Sequence, residues 1–177
     1  MNLKDLIQEI YLETERIDND GQLASYIPEL STIDSKKFGV HISTINHLSF
    51  GIGNYSEKFS IQSIAKVLSL TLAYQIIGEK IWERIGVEPS GTAFNSLIQL
   101  ETDNGIPRNP FINAGAIVIS DILLSNLENP KEDFLAFVRN LSNNSKLNYS
   151  AKIATSEKNV GYRNVALCNF IKSFGNI

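Results

Sequence analysis

The hydrophobic pattern of this chain changes period near residue 60, and that change constrains the fold more than any other feature. Phe38-Gly39-Val40-His41-Ile42-Ser43-Thr44 and His47-Leu48-Ser49-Phe50-Gly51-Ile52-Gly53 alternate in the strand manner about Ile45-Asn46. They predict an antiparallel hairpin. From residue 62 to about 77, apolar residues at 64, 67, 68, 70, 72, 73, 76 and 77 follow the helical period instead. They predict a largely buried helix that Gly78 ends.

Helical patterns dominate the rest. Apolar residues at 3, 6, 7, 10 and 11 predict an N-terminal amphipathic helix, and Pro28 stops any helix near residues 26–30. Residues 79–85 read as a short helix, 96–100 as a short element and 112–127 as a second apolar helix. Residues 130–140 form an amphipathic helix with Pro130 in its opening turn, and 162–174 a last helical pattern. Ser156-Glu157 falls in a segment read as extended or turn. Two strands and at least five helices make a mostly helical α+β protein. A two-stranded sheet is marginal without more strands or helices to cover it. No repeat, low-complexity tract or linker divides residues 1–177, so they are expected to form a single domain.

Composition excludes several functions. The net charge is −3 and no run of lysine or arginine occurs, so nucleic acid and anionic membranes are poor partners. No apolar stretch approaches the roughly 20 residues of a membrane span, and the acidic N-terminal helix is unlike a secretory signal. A cytoplasmic location is expected. The single cysteine, Cys168, rules out an internal disulfide and reads as packing. His41 and His47 have no companion cluster, which argues against a metal site.

The chemistry concentrates where the period changes. Ser63 and Lys66 are three apart at the head of the apolar helix, hence on one face. A serine needs a neighbouring base to become a nucleophile. A lysine whose ammonium is disfavoured by burial and by the positive end of a helix can serve. Asn113 begins the second apolar helix, where it can cap the helix or contact a ligand. Glu157 and Asn164 are surface residues if taken singly. Together, one acid and two asparagines supply an anion for an ammonium and amide donors for a carboxylate, the needs of a zwitterionic amino acid.

Several blocks resemble the signatures of serine-dependent glutaminases, members of the β-lactamase/transpeptidase-like superfamily. They are Tyr26-Ile27-Pro28-Glu29-Leu30, residues 59–66, Glu88-Pro89-Ser90-Gly91, Phe94-Asn95-Ser96, residues 109–117, and Ser156-Glu157 followed by Arg163-Asn164. The resemblance implies an α+β fold in which a helical cluster packs on an antiparallel sheet, with the sheet incomplete in this chain. It implies that Ser63 attacks the side-chain amide of L-glutamine and that Lys66 accepts its proton. Tyr26, Asn113, Glu157 and Asn164 would hold the substrate, with Gln62 lining the site beside Ser63. No metal or organic cofactor is implied, and a homo-oligomer, dimer or tetramer, is.

The same resemblance places a catalytic tyrosine, a second active-site tyrosine and a Lys-Ser-Gly-Val-like strand after the matched segments. None occurs within the 177 residues. The chain is therefore expected to represent the N-terminal portion of such a domain, weakly active and poorly folded by itself. Two rivals remain at this point. One is a non-catalytic fragment that binds an amino acid or needs a partner chain. The other is a penicillin-recognising serine hydrolase, whose second motif Ser142-Asn143-Asn144 imitates. That tripeptide lies in a run of loop formers and reads as a polar turn.

Overall fold

A computed structural model describes residues 2–18 and 20–177. The chain divides into two compact units, Met1–Ser60 and Ile61–Ile177.

In the first unit, helix α1 (Leu3–Glu15) starts where the Asn2 side chain accepts the Asp5 N–H at 2.9 Å. This cap satisfies one of the helix's orphan donors. Strands β1 (Gly39–Ser43) and β2 (Ser49–Gly53) pair antiparallel, with Val40 opposite Ile52 and Ile42 opposite Phe50. Tyr11 of α1 stacks on Phe38 with ring centroids 5.1 Å apart, and Lys4 Nζ lies 5.4 Å from the Phe50 ring centroid. Gly53, at φ +70°, permits that approach. A Cβ there would come within 2.4 Å of the Phe38 carbonyl and 2.6 Å of the Tyr11 hydroxyl.

The hairpin loop is one residue longer than its alternation suggests. His47 adopts φ +62° and donates its N–H to the Thr44 carbonyl, while the Thr44 N–H reaches Leu48 O at 2.9 Å. A tight right-handed turn would splay the strands, and one left-handed residue restores their twist. His47 therefore belongs to the loop rather than to β2.

The second unit is helical. A 3-10 turn, Gln62–Ile64, runs into α2 (Ala65–Ile77), and Gly78 caps it at φ +59°. After a further 3-10 segment, Gly78–Glu83, come α3 (Leu97–Thr102), α4 (Asn113–Asn126) and α5 (Pro130–Ser142). Helices α6 (Ala151–Val160) and α7 (Tyr162–Ser173) complete it. Helix α4 occupies the middle, packed against α2 and α7. Its Val118, Ile119 and Ile122 are essentially inaccessible and meet Ala73 of α2 and Leu167 and Ile171 of α7 in one core. Burial of each such aliphatic side chain contributes about 1.5–3 kcal/mol.

Two readings of the sequence need correction. Residues 151–160 are helical, so Ser156-Glu157 is neither extended nor a turn. The Ser150 hydroxyl accepts the Ile153 N–H at the start of α6, and neither glycine nor proline interrupts it before Gly161. In Ser142-Asn143-Asn144, the serine ends α5 and the turn starts only at Asn143. Asn143 is left-handed at φ +49°, and the Asn144 N–H returns to the Arg139 carbonyl. Among the described residues, no helix is long and apolar enough to cross a membrane.

Candidate active site

The α2 and α4 starts converge on one cleft of about 250 Å³ in the second unit, lined by Gln62, Ser63, Lys66, Asn113, Ala116, Ile117, Ser120, Glu157 and Asn164. Six of the seven residues singled out in the sequence are in that lining. The seventh, Tyr26, belongs to the first unit, where its side chain is largely exposed.

The geometry at Lys66 is the most specific feature. Its Nζ donates to the backbone carbonyl of Phe111 at 2.9 Å and to Asn113 Oδ1 at 2.8 Å. Asn113 Nδ2 in turn donates to Asn164 Oδ1 at 3.0 Å. The relay runs from the start of α2, across the start of α4, to the first turn of α7. Asn113 thus holds a side chain from another helix and does not cap its own, for which Ile112 is the capping position.

The start of α4 is satisfied from elsewhere. The Asn113 N–H donates to Phe94 O at 2.9 Å, and Asn109 Oδ1 accepts the Phe111 and Ile112 N–H groups at 3.0 and 3.2 Å. Those amides are not available to a ligand.

Burial pushes the Lys66 amine below the ordinary lysine range. The positive N-terminal ends of α2 and α4 act in the same direction. With two acceptors already held, only one tetrahedral position on Nζ remains. In the neutral amine that position carries the lone pair, so the lysine is arranged to take a proton. Among the described residues, neither Lys66 nor Glu157 forms an ion pair, and the Ser63 hydroxyl has no hydrogen-bond partner. The expected face-sharing of Ser63 and Lys66 therefore appears as two groups in one cleft, with Lys66 bonded across to α4.

Sequence periodicity did not reveal three features. Gln62, immediately before Ser63, has φ +44°, a conformation that costs a non-glycine residue energy and is found most often where function requires it. Ala116, Ile117 and Ser120 continue the Asn113 stripe at helical spacing, and that spacing could have identified them. The Phe111 carbonyl is a backbone acceptor, which no residue-type pattern can announce. Ser142, Asn143 and Asn144 are not in the lining. Among the described residues, no group of three His, Cys, Asp or Glu side chains could hold a metal ion.

The arrangement offers a hydroxyl, an amine with lowered proton affinity, a carboxylate free of ion pairing and a chain of amides, all in a space suited to a small polar molecule. These are the parts for acyl transfer to serine with recognition of a zwitterion.

Comparisons with known proteins agree on one family. The family model described as Glutaminase matches residues 21–177. Over its whole length the chain is 54% identical to a glutaminase of Saccharophagus degradans and 50% identical to one of Christiangramia forsetii, covering 58% of each. A solved structure described as probable glutaminase ybaS aligns with a TM-score of 0.91 at 29% identity, over 99% of this chain and 57% of that one. The chain thus spans rather more than half the length of these relatives. Its helical cluster and small antiparallel sheet have the β-lactamase-like fold of that neighbour.

Proposed function

The chain belongs to the glutaminase family, and from that premise we propose that it hydrolyses the side-chain amide of L-glutamine to glutamate and ammonia through an ester on Ser63. The observation that carries the mechanism is Lys66 held by Phe111 O and Asn113 Oδ1 in the cleft that Ser63 lines.

Neutral Lys66 takes the Ser63 hydroxyl proton at the one open position of its Nζ, and Ser63 Oγ bonds to the amide carbon. Negative charge then develops on the former carbonyl oxygen. The Ser63 N–H, near the start of the helical run, is one donor for it. The lysine ammonium returns its proton to the departing nitrogen as the carbon–nitrogen bond breaks, releasing ammonia. Water, deprotonated by the same amine, cleaves the ester to give glutamate and restores the Ser63 hydroxyl. Glu157 faces the substrate ammonium. Asn164 accepts from Asn113 through Oδ1, and its Nδ2 serves the α-carboxylate as donor. No resident metal is assigned a step.

Three parts of this reading rest on resemblance alone: Tyr26 as a substrate contact, a single domain across both units, and assembly as a homo-oligomer. A second oxyanion donor is assigned by the same resemblance to residues outside the 177.

Ammonia release from L-glutamine by the purified chain, compared with Ser63→Ala, tests the proposal. Release that requires Ser63 is expected. Release at the same rate from Ser63→Ala would contradict it, and calorimetric binding of glutamine with no acylation of Ser63 would favour a non-catalytic binding role.

A further inference from the structure

The two acceptors that hold Lys66 belong to one short turn, residues 111–113, and one side chain outside the cleft holds two of its three N–H groups. Asn109 Oδ1 accepts the N–H groups of both Phe111 and Ile112, and its Nδ2 donates to Glu88 O at 2.8 Å. Around it the 86–88 and 107–109 segments are tied by Gly86 N–H to Pro107 O and Glu88 N–H to Arg108 O, both 2.8 Å. On the other side, Asn109 O presses on α4, where a Cβ on Gly115 would meet it at 2.0 Å. Residue 109 thus joins the turn to the 86–88 strap and to α4, while Asn113 N–H is held separately by Phe94 O.

We propose that Asn109 is a positioning residue for Lys66, holding the Phe111 carbonyl and the Asn113 amide where they leave one position of the amine open toward the reaction. The inference rests on the reading of Lys66 as base. Asn109 does not line the cleft, so it acts only through the turn. Its Oδ1 does the work: without that acceptor, the Phe111 and Ile112 N–H groups must find other partners and the Phe111 carbonyl swings with them. A displacement of roughly 1 Å in a reacting group can cost about 10²-fold.

The test is the rate of covalent labelling of Ser63 by 6-diazo-5-oxo-norleucine, followed by intact mass against pH in the full chain. Labelling of the wild type at Ser63, absent in Ser63→Ala, secures the reading beneath; no labelling of the wild type overturns both. Asn109→Ala is expected to lower the high-pH plateau by about 10-fold to 100-fold and to raise the pH midpoint, because a loosened turn admits water to the amine. Asn109→Asp keeps the Oδ1 acceptor but loses the donor to Glu88 O; the strap stays tied by its two backbone hydrogen bonds, so the plateau is expected to hold within about threefold, a small fraction of that misplacement cost. Its added negative charge favours the ammonium and raises the midpoint. A purely structural role would lower the melting temperature and leave the plateau unmoved. An Ala plateau equal to that of the wild type overturns the proposal. If Asn109→Ala fails to fold, the Asp variant decides, and a plateau loss of 10-fold or more there overturns it as well.

Discussion

The proposed role of Lys66 as base rests on its surroundings, and two measurements follow from them. Acylation needs the neutral amine, so its rate should rise with pH to a plateau, with a midpoint below the usual lysine value of about 10.4 because burial disfavours the ammonium. The same lowering affects stability. Between the lowered value and the ordinary one, the unfolded chain binds more protons than the folded chain, so this residue makes the fold more stable as pH rises through that interval. Urea unfolding midpoints should show that rise in the wild type and a flatter profile in Lys66→Met. Glu157 gives a second prediction. Glu157→Gln keeps the shape but loses the charge proposed to face the substrate ammonium, and a charged hydrogen bond of about 1.5–3 kcal/mol corresponds to a KM raised by roughly 10-fold to 150-fold. A KM within twofold of the wild type would remove Glu157 from that role. Ser63, Lys66, Asn113, Glu157 and Asn164 were legible as residue types at suggestive positions. The left-handed backbone of Gln62 was not, because glutamine carries no preference that would announce it.

At the scale of elements, helices with strong apolar periodicity were legible almost to the residue, as α2, α4 and α7 show. The segment carrying Glu157 was misread because α6 is polar nearly all round, and only its Ser150 cap marks it as a helix. The hairpin loop was read one residue short, since the demand for left-handed twist at His47 comes from pairing rather than composition. In Asn113-Ala114-Gly115-Ala116 one small residue meets another backbone closely. Gly115 is that residue, against Asn109 O. Gly115→Ala should destabilise the chain by about 1–3 kcal/mol, the usual range for overpacking, although alanine is the better helix former. A thermal melt equal to or above that of the wild type would show that the 109–112 turn can yield, which would also weaken the case for Asn109.

At the scale of the molecule, the sequence conveyed a helical α+β chain with one hairpin. The change of hydrophobic period near residue 60 falls at the division into a unit ending at Ser60 and a unit beginning at Ile61, although no linker composition marks it. The 3-10 turn directly follows the first residue of the second unit, and Lys66 lies five positions after Ile61. That second unit supplies every lining residue of the cleft. The chain matches glutaminases along its whole length while spanning 58% of the two quoted relatives, so the central claim concerns a chemical step rather than a turnover number. Its most direct test is an acid quench of the chain during incubation with L-glutamine, followed by mass mapping of the peptide that contains Ser63. The predicted result is a glutamyl group on Ser63, glutamine less ammonia, absent from Ser63→Ala and strongly reduced in Lys66→Ala. Ammonia release from the wild type with no adduct at Ser63, and undiminished in Ser63→Ala, would contradict the account.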